Sequence, residues 1–330
     1  MELMEDVVIV GAGIAGLATA VALKRVGVRA LVLEKSKGLR STGTALTLTP
    51  NAWLALDALG VSHKLIPLYT PSIKGYVTNV STGEVQEVLY PRQGIRTLHR
   101  KVLLEALAEE LAADSIRFSS RLAAIQSLEQ GGDASMAVVH LEDGTTIKSK
   151  VLIGCDGVHS VVARWLGLAE LVHSGRSAGT LLVFSQSRPP WGIIFGKLSK
   201  GNVTVAGDAM HPMTPDLGNG GGASLEDAVV LGRHIGNSII NNGGLIVPGD
   251  MAKAIDDYVK ERRWRAAMLV TASYLSGRMQ QGDKWWIKFL RDRAFYKYFF
   301  SWLARLAVVY DCGKLPNISS GEPDHSSKKD

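Results

Sequence analysis

Cysteine is nearly absent from this chain: two residues, Cys155 and Cys312, in 330. They lie far apart and match no metal-ligand or redox spacing. That excludes a disulfide scaffold, leaves no metal site to expect, and fits a reducing compartment. Long apolar runs are missing too. No stretch reaches the roughly 18 residues needed to span a bilayer. Strand-like sequence from Asp6 leaves no room for the apolar core of a signal peptide. A cytoplasmic protein is therefore expected, with the Asn-Ile-Ser at Asn317 unglycosylated. No block of Lys and Arg interleaves with aromatics. The net charge of +6 then reads as solvated surface, and no nucleic-acid partner is expected. Internal repeats are absent.

The chain does have length for a full core and a second domain, and a composition of 46% hydrophobic and 21% charged residues that suits a soluble globular protein. It also has 35 glycines, and their placement is informative. The stretch "DVVIVGAGIAGLATAVALKRVGVRALVLEKS" reads as strand, glycine turn, helix and second strand. Val7 to Val10 is a continuous apolar run, as in a strand buried on both faces of a parallel sheet. Gly11, Gly13 and Gly16 form G-x-G-x-x-G. Gly11 permits the tight turn, Gly13 lets a pyrophosphate approach the backbone, and Gly16 lets the helix lie close on the strand. Ile14 and Ala15 open that helix, whose N-terminus favours phosphate. Glu34 ends the second strand, followed by Lys35. A carboxylate there accepts from both ribose hydroxyls and repels a 2′-phosphate. This pattern does not separate NAD from FAD, since both carry an adenosine diphosphate.

A second glycine cradle lies far down the chain. "VTVAGDAMHPMTPDLGNGGGASLEDAVVL" starts as a buried strand, passes through a Gly/Pro loop and ends in a helix. Gly207-Asp208 ends the strand, and Asp208 can accept from polyol hydroxyls. Pro215, Gly218, Gly220 and Gly221 lead into a helix whose N-terminus suits the negative edge of a reduced flavin. Between the cradles, Arg96 and Arg100 flank the helix of "RTLHRKVLLEALAEEL", and Asp156-Gly157 follows the buried strand Val151 to Gly154. Arg100 reads equally as surface charge or as a cofactor-phosphate ligand. Two cradles so far apart point to a long cofactor lying between them, and argue against a simple NAD-dependent dehydrogenase. His211, beside the second cradle, reads either as structural or as a proton-transfer residue. No catalytic side chain is certain.

The segments "GAGIAGLATAVAL…LEK", "HRKVLLEAL", "CDGVHSVVAR" and "GDAMHPMTPDLGNGGGASLEDAV" resemble the FAD-dependent aromatic-ring monooxygenases of the p-hydroxybenzoate hydroxylase type. The wording is most similar to the plant monooxygenase 1-like branch, which is also similar to zeaxanthin epoxidase and salicylate hydroxylase. The resemblance runs from Val7 to about Ala178 and from about Leu182 to Leu315. It implies an α/β fold with a Rossmann-like FAD-binding domain, NAD(P)H as co-substrate, a flavin hydroperoxide as oxygen donor, and a small aromatic or isoprenoid-like substrate. By carry-over, Gly11, Gly13, Gly16, Glu34 and Arg100 bind the adenosine diphosphate half. Asp156-Gly157 serves both FAD and NAD(P)H, Asp208 binds the ribityl diphosphate, and the Pro215–Gly222 loop lies on the ring. Asn219 stands where the family usually has Gln.

The resemblance breaks in the middle. Asp156 and Asp208 are about 50 residues apart here; in the family a far longer interval holds most of the antiparallel sheet that covers the flavin. The join is expected near Ala178–Leu182. We therefore expect a FAD-binding domain from 1–75, 91–178 and 201–245, a substrate-domain segment at 76–90, and a remnant of that sheet at 179–200. A C-terminal helical region at 246–316 and a disordered tail at 317–330 complete the expectation. The stretch from Lys284 is basic and aromatic. It reads as packing across the FAD domain, with weak membrane-surface contact as the alternative. Two outcomes remain open: a monooxygenase-family enzyme with an impaired substrate domain, or a non-catalytic FAD-binding chain. Oligomeric state is not legible.

Overall fold

The computed structural model describes residues 2–40, 45–78, 83, 85–89, 94–130, 134–178, 183–281, 284–285, 289 and 308–317. Strand Glu2–Val10 runs through the middle of an eight-stranded sheet. Val7, Val8, Ile9 and Val10 are all buried, as their unbroken apolar run requires. The main path of the sheet runs Ser199–Lys200, Val203–Val205, Thr146–Gly154, Glu2–Val10, Ala30–Leu33 and Ile116–Arg117. Its pairings are parallel except at the short Ser199–Lys200 edge. Ala134–Leu141 pairs antiparallel with Thr146–Gly154, and Leu122–Gln130 with Ala134–Leu141. The first of these pairs is a hairpin that turns at Asp143-Gly144, where Gly144 takes a φ of +82°.

The register decides where the site is. Val10 lies opposite both Gly154 and Leu33, and Gly154 lies opposite Val205. Four parallel strands therefore end in one row. The residues that follow them are Gly11, Glu34, Cys155 with Asp156, and Ala206 with Gly207. The carboxyl edge of a parallel sheet is where open α/β folds bind ligands.

Helix Ile14–Arg25 is apolar almost all round, and Ile14 through Leu23 are buried. It packs against helix Gly220–Asn241. Small residues make this close approach. A Cβ on Gly232 would sit 2.7 Å from Ala22 Cβ, and one on Gly236 would sit 2.7 Å from Val26 Cγ1. Helix Pro248–Gln281 packs on Gly220–Asn241 in turn. Ile255, Val259 and Leu269 are buried there, and Met268 is half-buried.

Away from the main sheet lie hairpin Lys74–Thr78 with Val85–Leu89, and hairpin Val172–Ala178 with Val183–Ser187. Among the described residues each is a separate two-stranded sheet. The expected join lies partly outside the described residues, as do most of the basic aromatic stretch and the tail. Among the described residues no helix is long and apolar enough to cross a membrane.

Gly236 supplies a test of the helix packing. In an open helix, alanine in place of glycine stabilises by about 1 kcal/mol. At Gly236 the new methyl meets Val26 Cγ1 at 2.7 Å and Pro316 Cγ at 2.9 Å. Overpacking costs about 1–3 kcal/mol and reverses the sign. Gly236→Ala is expected to lower the thermal unfolding midpoint, whereas Gly249→Ala, with nothing within 4 Å of its Cβ position, leaves it level or raises it. A raised midpoint for Gly236→Ala refutes the tight contact.

Candidate cofactor-binding site

The first cradle has the geometry its glycines predict. Gly11 has a φ of +104°, and a Cβ there would lie 2.5 Å from the Cys155 carbonyl oxygen. On Gly16 it would lie 1.8 Å from the Gly11 carbonyl oxygen. Gly13 differs: a Cβ there would meet nothing within 4 Å. It faces open space at the start of helix Ile14–Arg25, which has no side-chain cap and no acid in its first turn. The first-turn N–H groups are thus available to an anion. Glu34 reaches this turn, accepting from the Ala12 N–H at 2.8 Å through one oxygen and from the Ser36 N–H at 2.9 Å through the other. Lys35 is exposed beside it.

The second cradle meets the first. Gly207, with a φ of +62°, has room for no side chain: its Cβ would stand 2.6 Å from Ala15 Cβ and 3.0 Å from Ser224 Oγ. A Cβ on Gly221 would lie 3.6 Å from Ile14 Cδ1, and one on Gly220 would lie 3.9 Å from an Asp208 carboxylate oxygen. Pro215–Leu217 forms a short 3-10 turn, Gly218 takes a φ of +62°, and both Pro215 and Gly218 are exposed. Helix Gly220–Asn241 likewise starts without a side-chain cap or a first-turn acid. Two helix N-termini therefore open beside one turn, and Asp208 projects from it. The Asp208 side chain is exposed on one side and crowded by protein on the others. That crowding raises its carboxyl above the usual range, against the pull of His211 and Arg100.

Arg100 begins helix Arg100–Ala108. Its Nε is buried without a hydrogen-bond partner. Burial and the nearby Arg40 charge lower its guanidinium, while Asp208 opposes them. Asp156 sits against the Gly11 turn, but one carboxylate oxygen already accepts from the Val161 N–H at 2.6 Å and the Val162 N–H at 3.4 Å. It caps helix Val161–Trp165 together with Ser160, and its other oxygen is buried without a partner. Gly157 turns the chain with a φ of +79°. The structure thus gathers the two glycine cradles, Glu34, Arg100, Asp156 and Asp208 at the row of strand ends.

His211 is fully buried. Its Nε2 lies 2.6 Å from Asp227 Oδ2, the same oxygen that accepts from the Gly207 N–H at 2.8 Å. The other Asp227 oxygen accepts from Arg262 Nε at 2.7 Å. Arg262 also pairs with Glu226 at 2.8 Å, and Glu226 pairs with Arg265 at 2.9 Å and accepts from Asn51. On the far side of the loop, buried Arg188 donates to the carbonyls of Met210 at 3.1 Å, Ala209 at 3.3 Å and Ala169. The Asp208 turn is clamped from both sides. Sequence reading missed Arg188, Arg262, Arg265 and the pairing of Asp227. One signal was present: Glu226 and Asp227 interrupt a run of small and apolar residues, where charges must be paired to be buried.

The His211–Asp227 pair predicts a pH dependence. Burial pulls the His211 imidazole down, but the Asp227 charge and hydrogen bond outweigh it and hold it above its usual value. Its stabilisation is complete below the unfolded value of about 6.5 and is lost as pH rises through the folded value. Burial pushes Asp227 up, but His211 and Arg262 bring it down to about 2. Its contribution is present above about pH 4 and is lost as pH falls through the folded value. His211→Gln is expected to lose the alkaline decline in unfolding midpoint and to keep a smaller acid one, which Arg262 still supports. Thermal unfolding from about pH 3 to 9 checks this, and an unchanged alkaline limb refutes the pairing.

Comparison with known proteins agrees with this geometry. The FAD binding domain family matches residues 4–191 and 190–273. Monooxygenase 2 of Arabidopsis thaliana is 34% identical over 411 residues, covering 94% of this chain and 98% of the relative. Those 411 aligned positions exceed the 330 residues of the chain by 81, so at least that many positions of the relative have no counterpart here. Monooxygenase 1 of the same plant is 33% identical, covering 84% of this chain and 92% of the relative. In fold, the chain is similar to Klebsiella pneumoniae HpxO complexed with FAD and uric acid, with a TM-score of 0.73 at 20% identity over 92% of this chain and 96% of that one. The strand-end cradles and these relatives together make the chain a member of the FAD-dependent aromatic monooxygenase family.

Proposed function

We propose that this chain binds one FAD along the row of strand ends and reduces it with NAD(P)H, and that its oxygen chemistry is uncoupled from any small aromatic or isoprenoid-like substrate. The cofactor reading is carried by one observation: four in-register strand ends deliver two uncapped helix N-termini, Glu34 and Asp208 to one cleft. The residues fit FAD. Gly13 leaves a space that any side chain would occupy, and Arg100 Nε is buried and awaits an acceptor. Each Glu34 oxygen accepts one amide N–H and keeps lone-pair capacity for a ribose hydroxyl. Asp208 accepts from polyol hydroxyls, Arg100 meets the diphosphate, and the Gly218–Gly221 turn offers its amides to the ring edge. Asp156 and Gly157 border the same cleft. Bound FAD supplies two-electron transfer from a nicotinamide and activation of oxygen. His211 holds the Gly207 turn through Asp227 and, being fully buried, moves no substrate proton.

The uncoupling rests on what covers the flavin. Among the described residues the two hairpins are separate two-stranded pieces, and Tyr76, Leu89, Val172, Trp191 and Phe195 are exposed on or near them. A family-sized sheet would bury such residues and exclude water. The relative's positions without a counterpart here, at least 81, and the two-block family match support the same reading.

Glu34→Ala and Asp208→Ala each remove charged hydrogen bonds, which contribute about 1.5–3 kcal/mol. Each is expected to raise the FAD dissociation constant about 10- to 150-fold, measured by flavin fluorescence titration. Unchanged affinity in both variants refutes the site. The loaded chain is expected to oxidise NAD(P)H slowly and independently of added aromatics. Each nicotinamide gives up a hydride, and oxygen takes two electrons and two protons and leaves as hydrogen peroxide. Nicotinamide consumed, peroxide formed and hydroxylated product are measured together. Product matching nicotinamide, with little peroxide, overturns the uncoupled reading. No oxidation at all favours a non-catalytic flavoprotein.

A further inference from the structure

We propose that Tyr310 is a positioning residue for the Asp208 turn, acting through Arg262 and Asp227. The inference rests on the FAD reading above and concerns a residue far from the cleft in sequence. Arg262 is fully buried. Its Nε serves Asp227, and its Nη2 serves Glu226 and the Ala223 carbonyl at 3.2 Å. Its Nη1 is buried with no hydrogen-bond acceptor. What it has instead is an aromatic face: the Tyr310 ring centroid lies 5.1 Å from Arg262 Cζ and 4.7 Å from Arg265 Cζ. A π-face attracts a guanidinium, most strongly where water is excluded. One ring therefore backs both guanidiniums that hold Glu226 and Asp227.

Tyr310 is itself fixed. Its hydroxyl donates to Glu261 at 3.4 Å, and Cys312, two residues on, is buried. Leu315 and Pro316 fill the notches at Gly232 and Gly236, coming within 3.2 and 2.9 Å of the Cβ positions there. The segment 308–317 is thus seated on helix Gly220–Asn241. The route to the cleft is short. Asp227 uses one oxygen for Arg262 and the other for both the Gly207 N–H and His211. A guanidinium that turns takes the carboxylate with it and releases the Gly207 turn. Gly207 stays wedged between Ala15 and Ser224, and Arg188 still holds the Ala209 and Met210 carbonyls from the other side, so loss of the Asp227 contact loosens the turn on one side and weakens the placing of Asp208 without abolishing it.

Wild type, Tyr310→Phe and Tyr310→Leu separate a positioning role from a merely structural one. Phenylalanine keeps the ring; leucine fills space without a π-face. FAD affinity is read by fluorescence titration, and apo-protein stability by thermal unfolding. Tyr310→Leu is expected to weaken FAD binding about five- to tenfold, while Tyr310→Phe stays within about twofold of wild type. Added to Arg262→Lys, Tyr310→Leu is expected to cause little further loss, because both act on one contact. A lowered unfolding midpoint with unchanged FAD affinity in Tyr310→Leu overturns the proposal. So do equal losses in the Phe and Leu variants, or fully additive losses in the double variant. A wild-type chain that binds no FAD overturns the cofactor reading itself, and is distinguished from these by the first titration.

Discussion

The Asp227 carboxylate is the contact on which the site depends. It is fully buried, which isolates a charge from water at a cost of several kcal/mol unless the charge is met by partners. Arg262, His211 and the Gly207 amide meet it, the first from the long C-terminal helix and the other two from the turn that carries Asp208. The pairings join the long C-terminal helix, the helix after the second cradle and the turn that carries Asp208. A buried carboxylate tolerates few arrangements, because every lone pair left unmet is costly. That intolerance gives the turn one position. The same logic explains Arg188, a buried cation that satisfies itself on three carbonyls of neighbouring loops.

The second organising constraint is strand register. A parallel sheet in which Val10, Leu33, Gly154 and Val205 share a row has no freedom about where the following residues go. Glycine is required at Gly11 and Gly207 because the backbone must turn with positive φ against a neighbouring segment. Segments more than a hundred residues apart thereby contribute to one cleft. The two cradles are a single surface that meets at Ala15 and Gly207, which suits a long cofactor lying across it.

The FAD-side architecture does not draw on the hairpins. The main sheet, its helices and the buried charges around Asp227 are built from segments on either side of the expected join. Among the described residues the two hairpins are separate two-stranded sheets, and Tyr76, Val85, Leu89 and Val172 on them are exposed. On the proposed reading, this division separates cofactor binding from substrate coupling. One needs the strand ends, and the other needs a sheet that shuts out water.

Much of this was legible in the residues. The apolar run Val7–Val10, the glycine spacing after it and Glu34 specify a strand, a tight turn and an acid at the end of the next strand from local chemistry alone. The Asp143-Gly144 turn and the Gly/Pro loop before helix Gly220–Asn241 are local signals of the same kind. Asp156 stands out in the sequence as an acid after a buried strand, but its capping of helix Val161–Trp165 depends on how the chain folds back after Gly157. His211 reads from the sequence as either structural or proton-transferring, because a sequence does not tell which way a side chain faces; the structure buries it beside Asp227. Arg188, Arg262 and Tyr310 carry no motif at all. Their importance comes from partners distant in sequence, brought within reach only when the helices close on the sheet. Local backbone preference by itself determined the elements and the glycine turns. The pairing of buried charges was decided by the tertiary structure, since only packing removes the water that would otherwise satisfy them.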